Sequence, residues 1–458
     1  MNDKTISFFK EISEIPRGSG NEKKISNYVC EFAQKRGLDY NQDEYGNVII
    51  RKYNGKNSPI ILQAHLDMVC EKEDDSFDFE KDAIEVYEDD GYLKAKGTTL
   101  GADNGIGVAQ ILNVLDDDLP LNIEAIFTVE EETTMCGAEK IDISSLKGKQ
   151  MLNLDGFEEK TVIIESASFF DIMMYLNYEF QEAQKKQAYK IKLQGMKGGH
   201  SGFDIDKNRG NSSQKLAKFL KKIEDIEIID FVGGTKFNVI PSQAECSFYS
   251  DLSKEELEKI RQEFEKKLRQ KYPDSNLIIE TENKNGKKLS NEDSKKFLDG
   301  VVSFKHGIYF KEENVFVTTS ANLGVVDLKD NCFKIGVRSS RRVEERQILQ
   351  SLQKYAEENK YKFEILGSQP GFETRKESNL VKKLCESYKN VIGDGKLQVK
   401  PVHITVECGF FEEKIPGLEV AIISPKIIGA HTTSERVEIK SIAECDRWIY
   451  EFLKSFEK

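Results

Sequence analysis

The chain has 458 residues, more than a single hydrophobic core usually serves, so two domains are expected. Hydrophobic residues make up 38% and charged residues 32%, a globular composition and not a disordered one. The net charge of -12 leaves no basic surplus to neutralise phosphates, which excludes a general nucleic-acid binder.

The opening residues, MNDKTISFFKEISEIPR, contain no apolar run of signal-peptide length, and no stretch approaches a membrane span. Eight scattered cysteines without a CxxC pair read as buried or reduced thiols. A cytoplasmic protein with no membrane partner is therefore expected. After an amphipathic opening helix come the apolar run Pro59–Ala64, a helical stretch Gly105–Leu115, the run Leu121–Val129, and Gln150–Leu154. Apolar strands separated by helical segments predict an α/β domain with a largely parallel sheet. From about Phe169 the pattern changes to hairpin-like strands and highly charged helices. Ser253 to Glu256 is a capping box that opens a helix running to about Gln270.

A weak internal echo follows. Asn238–Pro241, the strand Ala244–Leu252 and that helix are mirrored by Val317–Leu323, the strand Phe333–Arg338 and a helix from Val343 to Glu358. This predicts an α+β domain with an internal pseudo-repeat. After Gln369-Pro370-Gly371 the α/β character returns: helix Ser378–Asn390, strands Pro401–Val406 and Glu419–Ile423, and a closing helix near Ser441–Phe456. The predicted organisation is a catalytic domain built from residues 1–168 and 373–458, with a domain inserted at 169–372.

Chemistry collects where the strands end, as sites do in parallel sheets. The three apolar runs lead into His65-Leu66-Asp67, Glu130-Glu131-Glu132 and Asp155-Gly156, and the helix is entered through Asp103. With His431, these supply the parts of a two-metal hydrolase: imidazoles, carboxylates and a carboxylate base. A strand places His65 and Asp67 on one face, so Asp67 can orient the imidazole ring. Each part has a plainer reading. His65 and Asp67 are also a satisfied polar pair, the glutamate run a solvated turn, Asp155 a turn residue and Asp103 a helix cap.

The segments HLDMVCEKEDDSFDFEKD (65–82), KGTTLGADNGIG (96–107), FTVEEETTMCGAE (127–139), LNLDG (152–156), KGGHSG (197–202) and IIGAHTTSE (427–435) resemble the dinuclear metallopeptidases that include carboxypeptidase G, aminoacylase, tripeptidase T and carnosinase. Within that family the nearest likeness is to the bacterial Xaa-His dipeptidases. The resemblance implies a dizinc exopeptidase-like fold with an inserted lid domain. It also implies hydrolysis of unblocked dipeptides of the β-alanyl-histidine type by a metal-activated water. Asp103 would bridge two divalent ions, zinc first and manganese or cobalt as alternatives. His65 and Asp155 would complete one ligand set, Glu132 and His431 the other. Glu131 would be the general base.

Counting back from Met135-Cys136-Gly137-Ala138 selects Glu131 and Glu132 and leaves Glu130 as an extra acid. Thr133-Thr134 stands where the family more often has Ala-Gly. In the inserted domain, the likeness points to His200, Asn238 and Arg338 as contacts for the dipeptide substrate, the guanidinium suiting its carboxylate. His403 and Glu407 fit a His-x-x-x-Glu-Cys-Gly segment with a supporting or substrate-lining role, and His306 reads as structural. Relatives exist as monomers or homodimers, and either is expected here. Another hydrolase of the family, an aminoacylase or tripeptidase, is the alternative. A non-catalytic metal-binding protein is the more distant one.

Overall fold

The computed structural model describes residues 3–183, 187–283, 286–312, 316–393 and 395–457. Two compact units divide the chain: 1–166 with 370–402 and 406–458, and 167–369 with 403–405. Each has its own hydrophobic core.

The first unit begins with α1 (Asp3–Ser13), α2 (Lys23–Lys35), β1 (Asp39–Gln42), β2 (Val48–Tyr53), β3 (Ile60–His65), β4 (Val86–Asp89) and β5 (Tyr92–Ala95). It continues with α3 (Ala102–Asp116), β6 (Asn122–Thr128), α4 (Cys136–Lys140), β7 (Gln150–Asn153) and β8 (Thr161–Glu165). The second unit comprises β9 (Ser168–Tyr175), β10 (Gln187–Gln194), β11 (Gly199–His200), α5 (Ser212–Leu220), β12 (Glu227–Gly233), β13 (Val239–Ile240), β14 (Ala244–Ser250), α6 (Lys254–Arg269) and β15 (Asn276–Glu282). Then follow α7 (Asn291–Ser303), β16 (Gly307–Lys311), β17 (Val317–Asp327), β18 (Cys332–Ser339), α8 (Arg342–Glu358) and β19 (Lys362–Gln369). The chain returns to the first unit through α9 (Asn379–Ile392), β20 (Gln398–Pro401), α10 (Cys408–Lys414), β21 (Glu419–Ile422), β22 (Ile427–Ile428), β23 (Arg436–Glu438) and α11 (Ile439–Lys454).

An eight-stranded sheet in the order β1-β2-β6-β3-β7-β21-β8-β20 carries the first unit. Its centre, β6-β3-β7-β21, is parallel, with β20 parallel to β8 and antiparallel pairings elsewhere. Every residue of β3 is buried, which is why this strand reads as a continuous apolar run without alternation. Helix α3 is buried almost all round. Gly105, Gly107 and Ala109 keep it slim enough to lie against α1 and β3.

The second unit is built on a nine-stranded sheet, β15-β10-β14-β12-β17-β18-β9-β19, with β16 on β17. Its two halves mirror each other: β15-β10-β14-β12 meets β17-β18-β9-β19. They are joined through the antiparallel pairs Val232↔Asp327 and Gly233↔Val326. Each half is a β-α-β-β-α-β unit, and the first is inserted into the second after β9. The pseudo-repeat is thus longer than the sequence echo. The counterpart of β17 is β12, whereas Asn238–Pro241 holds the short β13, paired with β11. The capping box at Ser253 and Glu256 is formed, and α6 buries only Leu257, Glu265 and Leu268, so its charge is a solvated face.

One strand is displaced from its predicted place. The expected strand Pro401–Val406 is cut short: β20 ends at Pro401, beyond which single backbone bonds remain, from Val402 N–H to Glu165 O and from Ala167 N–H to Ile404 O. His403–Thr405 group with the second unit, where the side chains of His403 and Thr405 bond to Ser320 and Arg338. The alternation Val-His-Ile-Thr-Val imitates a strand without being one. His306, read as structural, accepts the Leu323 N–H on Nδ1. Among the described residues no helix is long and apolar enough to cross a membrane.

Candidate active site

Strands β6, β3 and β7 are neighbours and parallel, so their C-terminal ends share one edge of the sheet. His65 is the last residue of β3. Glu131 and Glu132 follow β6, and Asp155 follows β7. Asp103 enters the same space from the first turn of α3, where its own dihedrals are not helical and its peptide to Asn104 is cis.

The Asp103 carboxylate divides the cluster in two. Oδ1 lies 3.3 Å from His65 Nε2, which is itself 3.6 Å from Asp155 Oδ1. Oδ2 lies 3.0 Å from His431 Nε2, and that nitrogen is 3.0 Å from Glu132 Oε1. Three groupings have all their donor atoms within 4.8 Å of one another: His65-Asp103-Asp155, Asp103-Glu132-His431 and His65-Glu131-Glu132. Glu132 Oε1 is buried and, despite that short distance, no donor is aligned to give it a hydrogen bond.

The electrostatics of the cluster are those of too many carboxylates. Burial opposes it, yet His431 and His65 hold the Asp103 carboxyl far below the usual range. Burial and the Asp103 charge push Glu132 up to about 7. Burial likewise raises Asp155 and carries Glu131 well above an ordinary glutamate, although His65 pulls Glu131 down. Burial works against His431, but the adjacent carboxylates of Asp103 and Glu132 lift the imidazole to about 11. Imidazoles that cling to protons beside carboxylates that resist ionising make a donor set suited to divalent cations.

Supporting residues hold this geometry. Asp67 is wholly buried. Its Oδ1 is 3.3 Å from His65 Nδ1 and accepts the Glu131 N–H at 3.0 Å, while Oδ2 accepts from Glu132 N at 3.1 Å and Ser19 Oγ at 2.7 Å. It therefore fixes the ring of His65 and the backbone of both glutamates together. Glu130 takes the left-handed conformation at φ 55°. Its carbonyl accepts from Thr134 and Met135, and its carboxylate accepts from Thr134 Oγ1. It is the pivot of the turn and stands in none of the three groupings.

Three partners of the site went unread in the sequence. Glu435, buried, accepts the N–H groups of Leu100 and Gly101 at 2.9 Å each and of Asp103 at 3.2 Å. Arg17 donates to the carbonyls of Leu66, Asp67 and Gly101. Asn104 Nδ2 donates to Asp155 Oδ1 at 2.8 Å. Glu435 lies inside the segment IIGAHTTSE, four residues after His431, and that proximity was the available signal.

The remaining residues lie in the second unit. Arg338 projects from β18 and is 4% exposed. It donates to Thr405 Oγ1 at 2.8 Å and Ser201 Oγ at 3.3 Å, approaches His200 Nε2 at 3.4 Å, and stacks on Phe169. Burial lowers it to about 10 against the pull of Asp171. Among the described residues it forms no ion pair. Asn238 joins this cluster by its carbonyl, which accepts the Ser201 N–H at 2.8 Å. His403 Nε2 is 2.8 Å from Ser320 Oγ, and burial with Arg338 and His200 nearby pushes it down to about 3. Glu407 belongs to the first unit.

Known proteins resemble this chain along nearly its whole length. The chain is 30% identical to the cytosol non-specific dipeptidase of Escherichia coli K12, across 97% of this chain and 96% of that one. The crystal structure of aminoacylhistidine dipeptidase from Vibrio alginolyticus matches with a TM-score of 0.84 at 29% identity, covering 99% and 96% of the two chains. A tripeptidase from Staphylococcus aureus shares the fold, at a TM-score of 0.58 and 17% identity over 99% and 98%. Residues 61–455 match the model of peptidase family M20/M25/M40, and the chain belongs to that family.

Proposed function

We propose that this peptidase is a metal-dependent dipeptidase acting on unblocked dipeptides, with Xaa-His peptides such as β-alanyl-histidine as preferred substrates. The observation that carries the reading is the Asp103 carboxylate, with one oxygen facing His65 and Asp155 and the other facing His431 and Glu132. In this reading His65, Asp103 and Asp155 hold one divalent cation and Asp103, Glu132 and His431 hold another, zinc being the first choice for such donors. When bound, the pair supplies Lewis acidity, drawing charge from a scissile carbonyl and making a water more acidic.

Glu131 takes the proton of the attacking water and returns it to the leaving amine. Its raised affinity for a proton suits a base that must also act as an acid. Asp67 touches no substrate; it positions His65 and the backbone of Glu131 and Glu132. Arg338 is assigned to the substrate carboxylate, because a buried guanidinium whose hydrogen bonds go only to neutral groups still has charge to offer an anion. His200 and Asn238 are assigned to the peptide backbone. The names of the Escherichia coli and Vibrio alginolyticus dipeptidases described above favour a dipeptide over a longer substrate.

The test is hydrolysis of β-alanyl-histidine and a panel of dipeptides, tripeptides and acylated amino acids by metal-loaded, chelated and zinc-restored protein. Cleavage of Xaa-His peptides that disappears with chelation and returns with zinc is the expected result. Equal rates on many dipeptides would replace the specificity with a broad one. Turnover that survives chelation would remove the metal-dependent mechanism.

A further inference from the structure

We propose that Glu407 is a positioning residue that sets the polarity of a buried hydrogen-bond relay, Glu407–Gln63–Asn153, ending on the backbone N–H of Asp155. The inference rests on the reading of Asp155 as a cation ligand.

Glu407 precedes α10 but does not cap it; its side chain turns beneath the ends of β3, β6 and β7. Glu407, Gln63, Thr128 and Asn153 are each fully buried. Glu407 Oε1 accepts from Gln63 Nε2 and from Thr128 Oγ1, the latter at 2.8 Å. Gln63 Nε2 also donates to Thr128 Oγ1 at 3.2 Å. Asn153 Nδ2 donates to Gln63 Oε1, and Asn153 Oδ1 accepts the Asp155 N–H at 2.9 Å.

Glu407 Oε1 accepts from both Gln63 and Thr128, and a carboxyl oxygen that bears no proton can only accept, whether or not the group is ionised. Glu407 therefore obliges Gln63 to present its NH2 group, which turns Gln63 Oε1 toward Asn153. Asn153 must then present its own NH2 there, which leaves its oxygen for the Asp155 N–H. One accepting oxygen thus orients two amides that could otherwise flip. Reversing the chain would set the Asn153 NH2 against the Asp155 N–H, donor against donor. The second oxygen, Glu407 Oε2, is buried without a hydrogen bond, so packing alone does not explain a carboxylate at this place. One strand contributes each link, and the same three strands end in His65, Asp155 and the Glu131–Glu132 turn.

The experiment is zinc titration by calorimetry of the full chain, with the melting temperature of the metal-free protein as the control for folding. Glu407→Leu is expected to bind one zinc ion about 10–100-fold more weakly while the metal-free protein melts near the native temperature. Glu407→Gln should recover most of that affinity, because its carbonyl oxygen can still accept from Gln63 and Thr128. Asn153→Ala should cause a similar loss, and the double variant should be no worse than either single one. Unchanged zinc affinity in Glu407→Leu, or losses that add in the double variant, would overturn the relay. Should Glu407→Leu fail to fold, Gln63→Met breaks the middle link and carries the same expectation. Asp155→Ala tests the underlying reading by itself. If it binds both ions with native affinity, the ligand assignment falls and the relay with it, whereas a loss there with none at Glu407 or Gln63 rejects the relay alone.

Discussion

Asp67 holds the backbone of Glu131 and Glu132 alike, but of the two only Glu132 joins a grouping with Asp103. A base placed in this way should be separable from cation binding. Glu131→Ala is expected to lower kcat by about 10²–10⁴-fold and leave zinc stoichiometry unchanged, as steady-state kinetics and calorimetry on one preparation would measure. Near-native turnover would move the role of base elsewhere. At this scale the sequence was readable wherever a residue's position along a strand determined its place. His65, Asp155 and the Glu131–Glu132 pair could be found because each follows an apolar run. Glu435 and Arg17 could not, because each acts on backbone groups far away in the chain: Glu435 and Leu100 are 335 residues apart. No periodicity marks a side chain whose partners are distant N–H and carbonyl groups.

Among the elements, the turn into α3 is closely constrained. Gly101 sits at φ 67° as its N-cap, and a Cβ there would run into the Arg17 guanidinium and lie 2.7 Å from Met68 Sδ. The neighbouring N–H groups are pinned by Glu435. Gly101→Ala therefore meets both a backbone penalty of about 1 kcal/mol or more and a clash. It should lower the melting temperature and weaken zinc binding together, and native zinc affinity in a folded variant would show that Asp103 does not depend on this loop. Elements set by apolar periodicity, such as β3, α3 and α11, were legible to within a few residues. The segment after Pro401 was not. Its alternation of apolar and polar residues satisfies the strand pattern, while its polar side chains are drawn to Ser320 and Arg338, which the local sequence does not contain.

For the molecule as a whole, two separate cores imply two separable responses to acid. In the second unit, burial and the nearby Lys215 charge pull His306 down to about 4, and its Nδ1 must be unprotonated to accept from Leu323. An unfolded histidine titrates near 6.5. The folded unit thus binds fewer protons, so this contribution is complete above about pH 6.5 and is lost as the pH falls toward 4. His306→Gln should flatten the fall in stability over that window by about one proton. Hydrogen exchange, which reads the two units separately, would reveal it, and an unaltered slope would discount the imidazole. The mirrored halves of the second sheet were only faintly legible as a repeat, because pairing through β12 and β17 depends on register and not on residue identity.

The order of strands also bears on how the protein is made. In the first sheet β21 lies between β7 and β8, yet the whole of the second unit is synthesised after β8 and before β21. While a ribosome works through that interval, β7 and β8 have emerged with their facing edges open, and unpaired edges recruit other strands. A nascent or truncated chain is therefore both an aggregation hazard and a peptidase whose histidine at 431 does not yet exist. Protection of those edges, by a chaperone or by rapid elongation, becomes a requirement of the topology, and the cation site proposed at His431 is completed only after β21 has been made.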